Sequence, residues 1–255
     1  MNDYQSRTRL LIGDEAADRL SRTRVIVFGV GGVGSWCVEG LVRSGVRRVT
    51  IVDPDRVCPS NVNRQLMATA RTIGEVKVDA LKDHLLDICP EAEIEARHEA
   101  FRAETAGQFD LDQYDFVIDA IDSLQDKMLL IRTACASKAV LFSSMGAARK
   151  LDPTRVKTAE FWKVQGCPLA RSLRQGFKRS GLMPSRKFKC VYSDELLDNT
   201  GTPQEPRANG SMVHITAVFG FTLAGMVIEE MVTNEKNNLA VKVVRSSYNC
   251  FNYSQ

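Results

Sequence analysis

A cluster of glycines after the first apolar segment of the chain has the composition of a phosphate-binding loop. The run Gly-Val-Gly-Gly-Val-Gly-Ser directly follows the apolar segment 24–28. Such a loop lets the backbone turn tightly and approach a phosphate, and the helix that it opens directs N–H groups and a positive dipole end at the anion. The four glycines are Gly29, Gly31, Gly32 and Gly34.

An acidic residue stands where a ribose would lie. Asp53 ends the second apolar segment, 24 residues beyond Gly29, and an acid at that point can bind both ribose hydroxyls. The loop and the acid indicate a nucleotide site without separating an adenine dinucleotide from ATP. Arg64 and Lys77 favour ATP, because a triphosphate requires an arginine fork, an ammonium and usually a Mg²⁺ held by carboxylate oxygen. An NAD(P)-binding oxidoreductase, whose site needs no such cations, is the less favoured alternative.

Apolar segments that alternate with helical patterns must position these residues. Strands and helices alternating at this spacing predict an α/β fold, with a Rossmann-like, doubly wound and mostly parallel sheet. The predicted strands are 24–28, 48–52, 94–98, 116–119 and 140–143, and the predicted helices run from the glycines to 44, over 76–88 and over 126–137.

The second half of the chain has a weaker pattern. Residues 165–210 are rich in Pro, Gly and basic residues, which predicts a long loop or a flexible insert. The apolar run 212–228 predicts a buried helix, since a membrane span needs ~20 residues, and 240–248 predicts a closing strand. We therefore expect an ATP-binding region over 1–150. Over 151–255 we expect a basic substrate-binding segment with a helix and a strand, within the same single domain.

The charge of the chain is unevenly distributed. The net charge is only +3, yet residues 149–189 hold 12 Lys and Arg against 2 Asp and Glu. The rest of the chain is therefore acidic, and this asymmetry suggests an anionic partner. Seven of these cations lie within 171–189, with Phe177 and Phe188 between them, where the two rings could stack on unpaired bases.

The cysteines and the absence of an export signal indicate a reducing compartment. The seven cysteines are odd in number and form no Cys-x-x-Cys pair, so neither a disulfide framework nor a structural zinc site is indicated. The first residues carry no apolar run of the signal-peptide type. We expect a cytoplasmic protein with no membrane segment.

Five motifs in this order resemble the ubiquitin-activating-enzyme superfamily, in its bacterial ThiF/MoeB/HesA branch. The resemblance covers roughly residues 5–150 and continues more weakly to about 232. Members of this superfamily adenylate a carboxylate with ATP and Mg²⁺, and the C-terminal part of the chain would be the extension of such an adenylating enzyme. The motifs are Gly-Val-Gly-Gly-Val-Gly-Ser, Asp-Pro-Asp at 53–55, Ser-Asn-Val-Asn-Arg-Gln at 60–65, Gly-Glu-Val-Lys at 74–77 and Asp-Ala-Ile-Asp-Ser at 119–123.

The resemblance assigns a role to each motif residue. Asp53, with Asp55 beside it, would hold the ribose, and Asp122 would hold Mg²⁺. Family members work as dimers that borrow an arginine near the N-terminus from the partner subunit, and here Arg9 is the best match and Arg7 the alternate. The residues that would face the phosphates are Asn61, Arg64, Gln65 and Lys77.

Three further features resemble one subgroup of this superfamily, the tRNA threonylcarbamoyladenosine dehydratases. They are Thr-Arg-Leu-Leu-Ile-Gly-Asp-Glu-Ala near the N-terminus, Lys-Cys-Val-Tyr-Ser-Asp-Glu at 189–195, and Asn-Gly-Ser at 209–211 ahead of an apolar helix. The resemblance implies that the chain activates the carboxylate of threonylcarbamoyladenosine, next to a tRNA anticodon, and cyclises it. The basic segment 171–189 would then contact tRNA.

Two points stay open at the level of sequence. Other members of the branch activate the C-terminal Gly-Gly of a sulfur-carrier protein, and this is the alternative function, although those proteins usually carry two zinc-binding Cys-x-x-Cys pairs. Cys190 could form a thioester after adenylation or relay sulfur with a sulfur-transfer protein partner. Flanking Lys187 and Lys189 could lower the pKa of its thiol, whereas most free cysteines are small apolar core residues.

Overall fold

One sheet of seven strands runs through the molecule. The computed structural model describes residues 4–201 and 209–250, with side chains as far as residue 233. The strand order is β3-β2-β1-β4-β5-β7-β6, in which only β6 is antiparallel to its neighbour. The strands are β1 Arg24–Phe28, β2 Arg48–Val52, β3 Glu93–Arg97, β4 Phe116–Asp119, β5 Val140–Ser144, β6 Val156–Glu160 and β7 Lys189–Ser193.

Helices cover both faces of this sheet, as predicted for a doubly wound α/β fold. The two buried clusters on either side of it draw on the same strands, because alternate residues of a strand point to opposite faces. The helices are α1 Ser6–Ile12, α2 Asp14–Arg22, α3 Gly34–Arg43, α4 Lys77–Ile88, α5 Leu124–Ala136, α6 Pro168–Ser180 and α7 Val213–Cys250.

The strand order reverses between β1 and β4. The chain moves from β1 outward to β2 and β3, and then returns to place β4 on the other side of β1. In open parallel sheets the crevice at such a reversal, outside the carboxyl ends of the strands, is where ligands bind. The residues that follow β1, β2, β4 and β5 therefore meet at one edge of the sheet.

Helix α7 is a core helix for much of its described length. Ile215, Phe219, Leu223 and Val227 have no exposed surface, and the helix packs along α3, the helix that the glycine loop opens. By length and hydropathy Val213–Thr233 could also cross a membrane, but 44% of its most apolar window is buried within the protein. The predicted buried helix is confirmed and is longer than the sequence pattern indicated.

Two predictions for the second half of the chain are wrong. The region 165–210 is not one long loop, because it contains α6 and β7, which pack Phe177 and Cys190 into the core. The expected closing strand over 240–248 is helical and continues α7. No Gly or Pro stands between 226 and 250 to end that helix. β7 pairs with β5, so the basic segment belongs to the same sheet as the glycine loop.

Candidate functional site

The glycine loop joins β1 to α3 in a conformation that only glycine allows at two positions. Gly29 has φ of 83°, and a Cβ on it would lie 2.7 Å from the carbonyl oxygen of Ala120. A Cβ on Gly34 would lie 1.8 Å from the carbonyl oxygen of Gly29. The loop thus folds back on itself against the end of β4, and α3 begins with its N–H groups at the carboxyl edge of the sheet.

Asp53 is held in place by two backbone amides. Its Oδ2 accepts a hydrogen bond from Val30 N and its Oδ1 one from Asp55 N, both at 2.9 Å. The carboxyl is only 6% exposed, and burial raises its pKa, against the opposing effect of the nearby Lys77 ammonium. These bonds tie the predicted ribose-binding acid to the glycine loop itself.

Lys77 begins helix α4 and reaches the same acidic pair. Its Nζ lies 2.8 Å from Asp55 Oδ2 and 3.9 Å from Asp53 Oδ1, and the residue is 5% exposed. The structure thus brings together Asp53, Asp55 and Lys77, which stand up to 24 residues apart in the chain. An ammonium in this position can exchange a carboxylate partner for a phosphate oxygen of a bound nucleotide.

The turn at 59–65 presents Arg64 and Gln65 to the loop. Gln65 is buried, its Nε2 lies 3.6 Å from the place of a Cβ on Gly31, and its Oε1 has no hydrogen-bond partner within the described residues. The Arg64 guanidinium donates to Ser60 O and Asn63 Oδ1, both uncharged acceptors. Over the described ranges no carboxylate pairs with Arg64, so its charge is available to an anion.

Asn61 lies within this turn and helps to fix its shape. Its Oδ1 accepts from Cys58 N at 3.1 Å, and its carbonyl oxygen accepts from Arg64 N and Gln65 N at 3.0 and 2.9 Å. Its side-chain oxygen is used within the turn, and Asn61 is not among the residues that line the cavity beside the glycine loop. Asn61 therefore shapes the turn that carries Arg64 and Gln65, and its contact with the phosphates stays a prediction.

Asp122 lies after β4 on a loop anchored by a buried ion pair. Lys127 Nζ lies 2.8 Å from Asp119 Oδ2 and donates to Ile121 O, and both charged residues have no exposed surface. Ser143 Oγ also donates to Asp119. Asp122 itself is exposed, lines the cavity and forms no ion pair or hydrogen bond with any residue that the structure describes. Sequence reasoning missed Lys127, whose burial no local pattern reveals.

A cavity of about 740 Å³ connects these groups. It extends from the glycine loop past Asp122 to the segment that follows β5. Two parts of its lining were not predicted as site residues from the sequence, although Ser211 belongs to the Asn-Gly-Ser motif at 209–211. They are 99–102 after β3, and 144–150 after β5 together with Leu196 and Ser211.

Arg9 and Cys190 do not line this cavity. Arg9 pairs with Asp14 and Asp18 at 3.0 and 2.8 Å, so within one subunit it belongs to the α1–α2 corner. Cys190 on β7 has no exposed surface, and burial raises the pKa of its thiol well above the usual value. The expectation that flanking lysines activate Cys190 is therefore wrong. Strand alternation points Lys189 outward while Cys190 points into the core.

The basic segment has a structured and an exposed part. Phe177 and Phe188 are buried and pack on Phe161, so the expected stacking on bases is wrong. Two of the cations serve the fold: Arg174 donates to Phe161 O and Val164 O, and Arg186 donates to Ala134 O and Ala139 O. The exposed cations are Arg171, Lys178, Arg179, Lys187 and Lys189.

Comparison with known proteins gives a consistent result. The sequence model of the ThiF family matches residues 4–254. The tRNA threonylcarbamoyladenosine dehydratase of Bacillus subtilis is 42% identical over 190 residues, which cover 74% of each chain. The Escherichia coli protein of that name is 31% identical over 246 residues, 88% of this chain and 92% of that protein. The crystal structure of the E. coli enzyme in complex with ATP superposes with a TM-score of 0.83 at 29% identity, covering 93% of this chain and 98% of that chain.

Proposed function

This chain belongs to the ThiF family, and on that basis we propose that it is an ATP-dependent tRNA threonylcarbamoyladenosine dehydratase. It activates the carboxylate of threonylcarbamoyladenosine, next to the anticodon of a tRNA, and cyclises the modification. The observation that carries the proposal is one cavity in which the glycine loop, Asp53, Arg64 and Lys77 lie together with Asp122. Such a cavity suits a triphosphate and leaves room beyond it for a second substrate.

The residues present fit ATP. Asp53 lies at the end of β2 for the ribose, which directs the adenine toward 99–102 after β3 and the phosphates toward the glycine loop. The Gln65 side-chain amide lies beside Gly31, where its Nε2 can donate to a phosphate oxygen. Arg64 and Lys77 supply the charge-assisted hydrogen bonds that phosphates require.

Mg²⁺ is the metal that the site would take, and Asp122 is the residue that would hold it. One exposed carboxylate that lines the cavity suits Mg²⁺, because this ion keeps several waters and is bound by one or two carboxylates plus substrate phosphates. When bound, the ion would neutralise negative charge on the phosphates.

The chemistry follows from the need for a leaving group. A free carboxylate is a poor electrophile, so one of its oxygens attacks the α-phosphorus of ATP and pyrophosphate departs, leaving a mixed anhydride with AMP. The neighbouring ureido group then attacks the acyl carbon, the bond to AMP breaks, and the ureido group loses a proton. The sum is loss of one water, and proximity within the substrate replaces an enzyme nucleophile. This scheme does not need the buried Cys190.

The tRNA contacts this chain through exposed cations of the basic segment. Lys178 and Arg179 stand in the last turn of α6, and Arg171 on its first turns. Pro168 and Leu169, at the start of the same helix, line the cavity. A polyanion bound along α6 would therefore reach the substrate side of the cavity.

The assembly and the compartment are part of the same proposal. A cytoplasmic homodimer would let Arg9 of one subunit complete the site of the other, and a sulfur-transfer protein could dock on it. Activation of a sulfur-carrier protein is the less favoured function, because the sequence lacks the Cys-x-x-Cys pairs of those relatives. The exposed cations of α6 also favour a polyanion over a Gly-Gly tail.

Release of AMP tests the function directly. Purified protein is mixed with ATP, MgCl₂ and tRNA carrying threonylcarbamoyladenosine, and AMP and the tRNA nucleosides are measured by mass spectrometry. We expect AMP release together with a nucleoside lighter by one water. Unmodified tRNA and a Gly-Gly-terminated carrier protein are the controls, and AMP release with the carrier alone would overturn the proposal.

A further inference from the structure

A buried lysine lines the cavity at the end away from the ribose-binding acid. Lys150 is 3% exposed, yet it belongs to the cavity wall. Its Nζ donates one hydrogen bond, to the carbonyl oxygen of Glu195. Among the described residues no carboxylate lies within ion-pair distance of this ammonium. A lysine buried in this way is rare unless it is paired.

The nearby Glu195 forms no ion pair with Lys150, and backbone amides hold its carboxylate in place. Glu195 Oε2 accepts from Leu151 N at 2.9 Å and from Asp152 N at 3.0 Å. Arg149, the residue before the lysine, has φ of 62°, a strained conformation for a residue other than glycine. Strain of this kind is found where a site demands a particular backbone. These contacts together hold the Lys150 ammonium at the cavity without an ion-pair partner among the described residues.

The charges around Lys150 do not compensate for its burial. Burial lowers the pKa of this lysine, and the interactions that oppose that shift come from Cys167, Glu195 and Asp194, with Arg155 acting in the same direction as burial. An ammonium with unused donors in such surroundings is destabilised, and an anion that enters the cavity would satisfy it.

The strand order indicates which anion would bind Lys150. The glycine loop follows β1, Asp122 follows β4, and Lys150 follows β5 across the same edge of the sheet. Two strand spacings separate β5 from β1, which is about 10 Å. In the proposed function the nucleotide phosphates bind beside the loop with Arg64 and Lys77, so the anion near Lys150 would come from the second substrate.

We propose that Lys150 binds the carboxylate of the threonylcarbamoyl group, so that one oxygen is held by the ammonium while the other is free to attack ATP. This assignment rests on the proposed function and adds to it the residue that recognises the reacting group. It also predicts specificity, since a neutral ester of the same modification would lose the contact.

The test compares an acid with its ester. Anticodon stem-loop RNA is prepared with threonylcarbamoyladenosine either as the free carboxylate or as its methyl ester, and both dissociation constants are measured by fluorescence anisotropy. We expect the unaltered protein to bind the acid about tenfold more tightly or better, and Lys150→Met to bind acid and ester equally. Lys138→Met is the matched control, because Lys138 is exposed and precedes β5 at the opposite edge of the sheet.

Two further measurements separate the role of the Lys150 charge from a loss of folding. Lys150→Arg keeps the positive charge and should keep a preference for the acid, and circular dichroism shows whether each variant is folded. The inference is overturned if folded Lys150→Met retains the preference, or if the unaltered protein has none. Failure of the proposed function gives a different result, namely no AMP release from ATP with the modified tRNA.

Discussion

Arg64 carries its guanidinium on a turn whose backbone is fixed by several contacts. Its carbonyl oxygen accepts from Trp36 Nε1 at 3.0 Å, and its amide donates to the carbonyl of Asn61. The backbone thus sets the position of Arg64, while its guanidinium donates only to uncharged acceptors among the described residues. A guanidinium that is oriented in this way before the ligand arrives loses little entropy on binding a phosphate.

Replacing this side chain tests its role with ATP. In Arg64→Ala the loss of a charge-assisted contact, worth about 1.5–3 kcal/mol, should weaken ATP binding tenfold or more in isothermal titration calorimetry. Arg71→Ala, which removes an exposed arginine from the same segment, should leave the dissociation constant unchanged. Equal ATP affinity in both variants would remove Arg64 from the phosphate site.

At the scale of elements, α3 and α4 are joined by a cluster of charged residues. Glu39 on α3 is buried, and it accepts from Arg43 at 2.5 Å and lies 2.9 Å from Nε2 of His84 on α4. The hydrogen bond with Glu39 raises the pKa of His84, and although burial alone would raise the pKa of Glu39, the hydrogen bonds from His84 and Arg43 outweigh it and lower that pKa. Both groups are therefore charged together at mildly acidic pH.

This cluster should make thermal stability depend on pH. A raised histidine pKa adds stability that is complete below the unfolded value of about 6.5 and is lost as pH rises through the folded pKa. His84→Gln should remove the contribution of the histidine to the free energy of unfolding. Between pH 6 and 8 the free energy of unfolding of the variant should therefore fall less than that of the unaltered protein. If the histidine contributes about 1 kcal/mol, the change in Tm over this pH range should differ between the two proteins by about 2–4 °C. His98→Gln serves as the control, and identical pH profiles for His84→Gln and the unaltered protein would contradict the prediction.

Helix α6 shows how one element divides its cations between fold and surface. Arg174 satisfies two carbonyl oxygens and lies 5.8 Å from the ring centre of Phe161, whereas Lys178 and Arg179 point outward. Lys178→Ala with Arg179→Ala should weaken tRNA binding at low salt, and the log-affinity against log-salt slope should flatten by about 0.7–0.9 per lost phosphate contact. The measurement is filter binding over a range of KCl concentrations.

Arg174→Ala is the contrasting variant for this helix. It should lower the free energy of unfolding, because two carbonyl oxygens lose their donor, while the salt slope stays unchanged in the folded protein. A double variant that binds tRNA with normal affinity and slope would show that α6 does not contact RNA.

At the scale of the whole molecule, the proposed homodimer makes a testable prediction about Arg9. Arg9 lies outside the cavity of its own chain and is paired with Asp14 and Asp18. If it serves the partner's site, mixing Arg9→Ala subunits with Asp122→Asn subunits should restore one intact site per heterodimer. We expect about a quarter of the unaltered AMP release at equal mixing with random exchange, since half the dimers then carry one intact site.

Subunit exchange must be shown independently in that experiment, by native mass spectrometry of the mixed variants. Absence of recovered activity despite exchange would place Arg9 in its own subunit's site or outside catalysis. Arg7→Ala, as the alternate arginine of the same segment, provides the comparison.

The sequence by itself determined the alternating fold and most of the nucleotide side of the cavity. Five strands and the helices after them follow from local periodicity, and the glycine loop with Asp53 depends on residues adjacent to strand ends, so spacing along the chain is sufficient. Arg64 and Lys77 were found for the same reason, since both belong to short contiguous motifs. The motif also contains Asn61, but a motif does not show that the side-chain oxygen of this residue holds the turn itself.

Only the tertiary structure decided which groups are buried and what they face. The order β5-β7-β6 brings Lys150 to the cavity and Cys190 into the core, and neither follows from the residues beside them. The same packing buried Phe177 and Phe188. Burial depends on contacts between residues far apart in the chain, and it changes the chemistry of a group by removing its water. Lys150, which we propose to face the second substrate, could therefore be identified only from the tertiary structure.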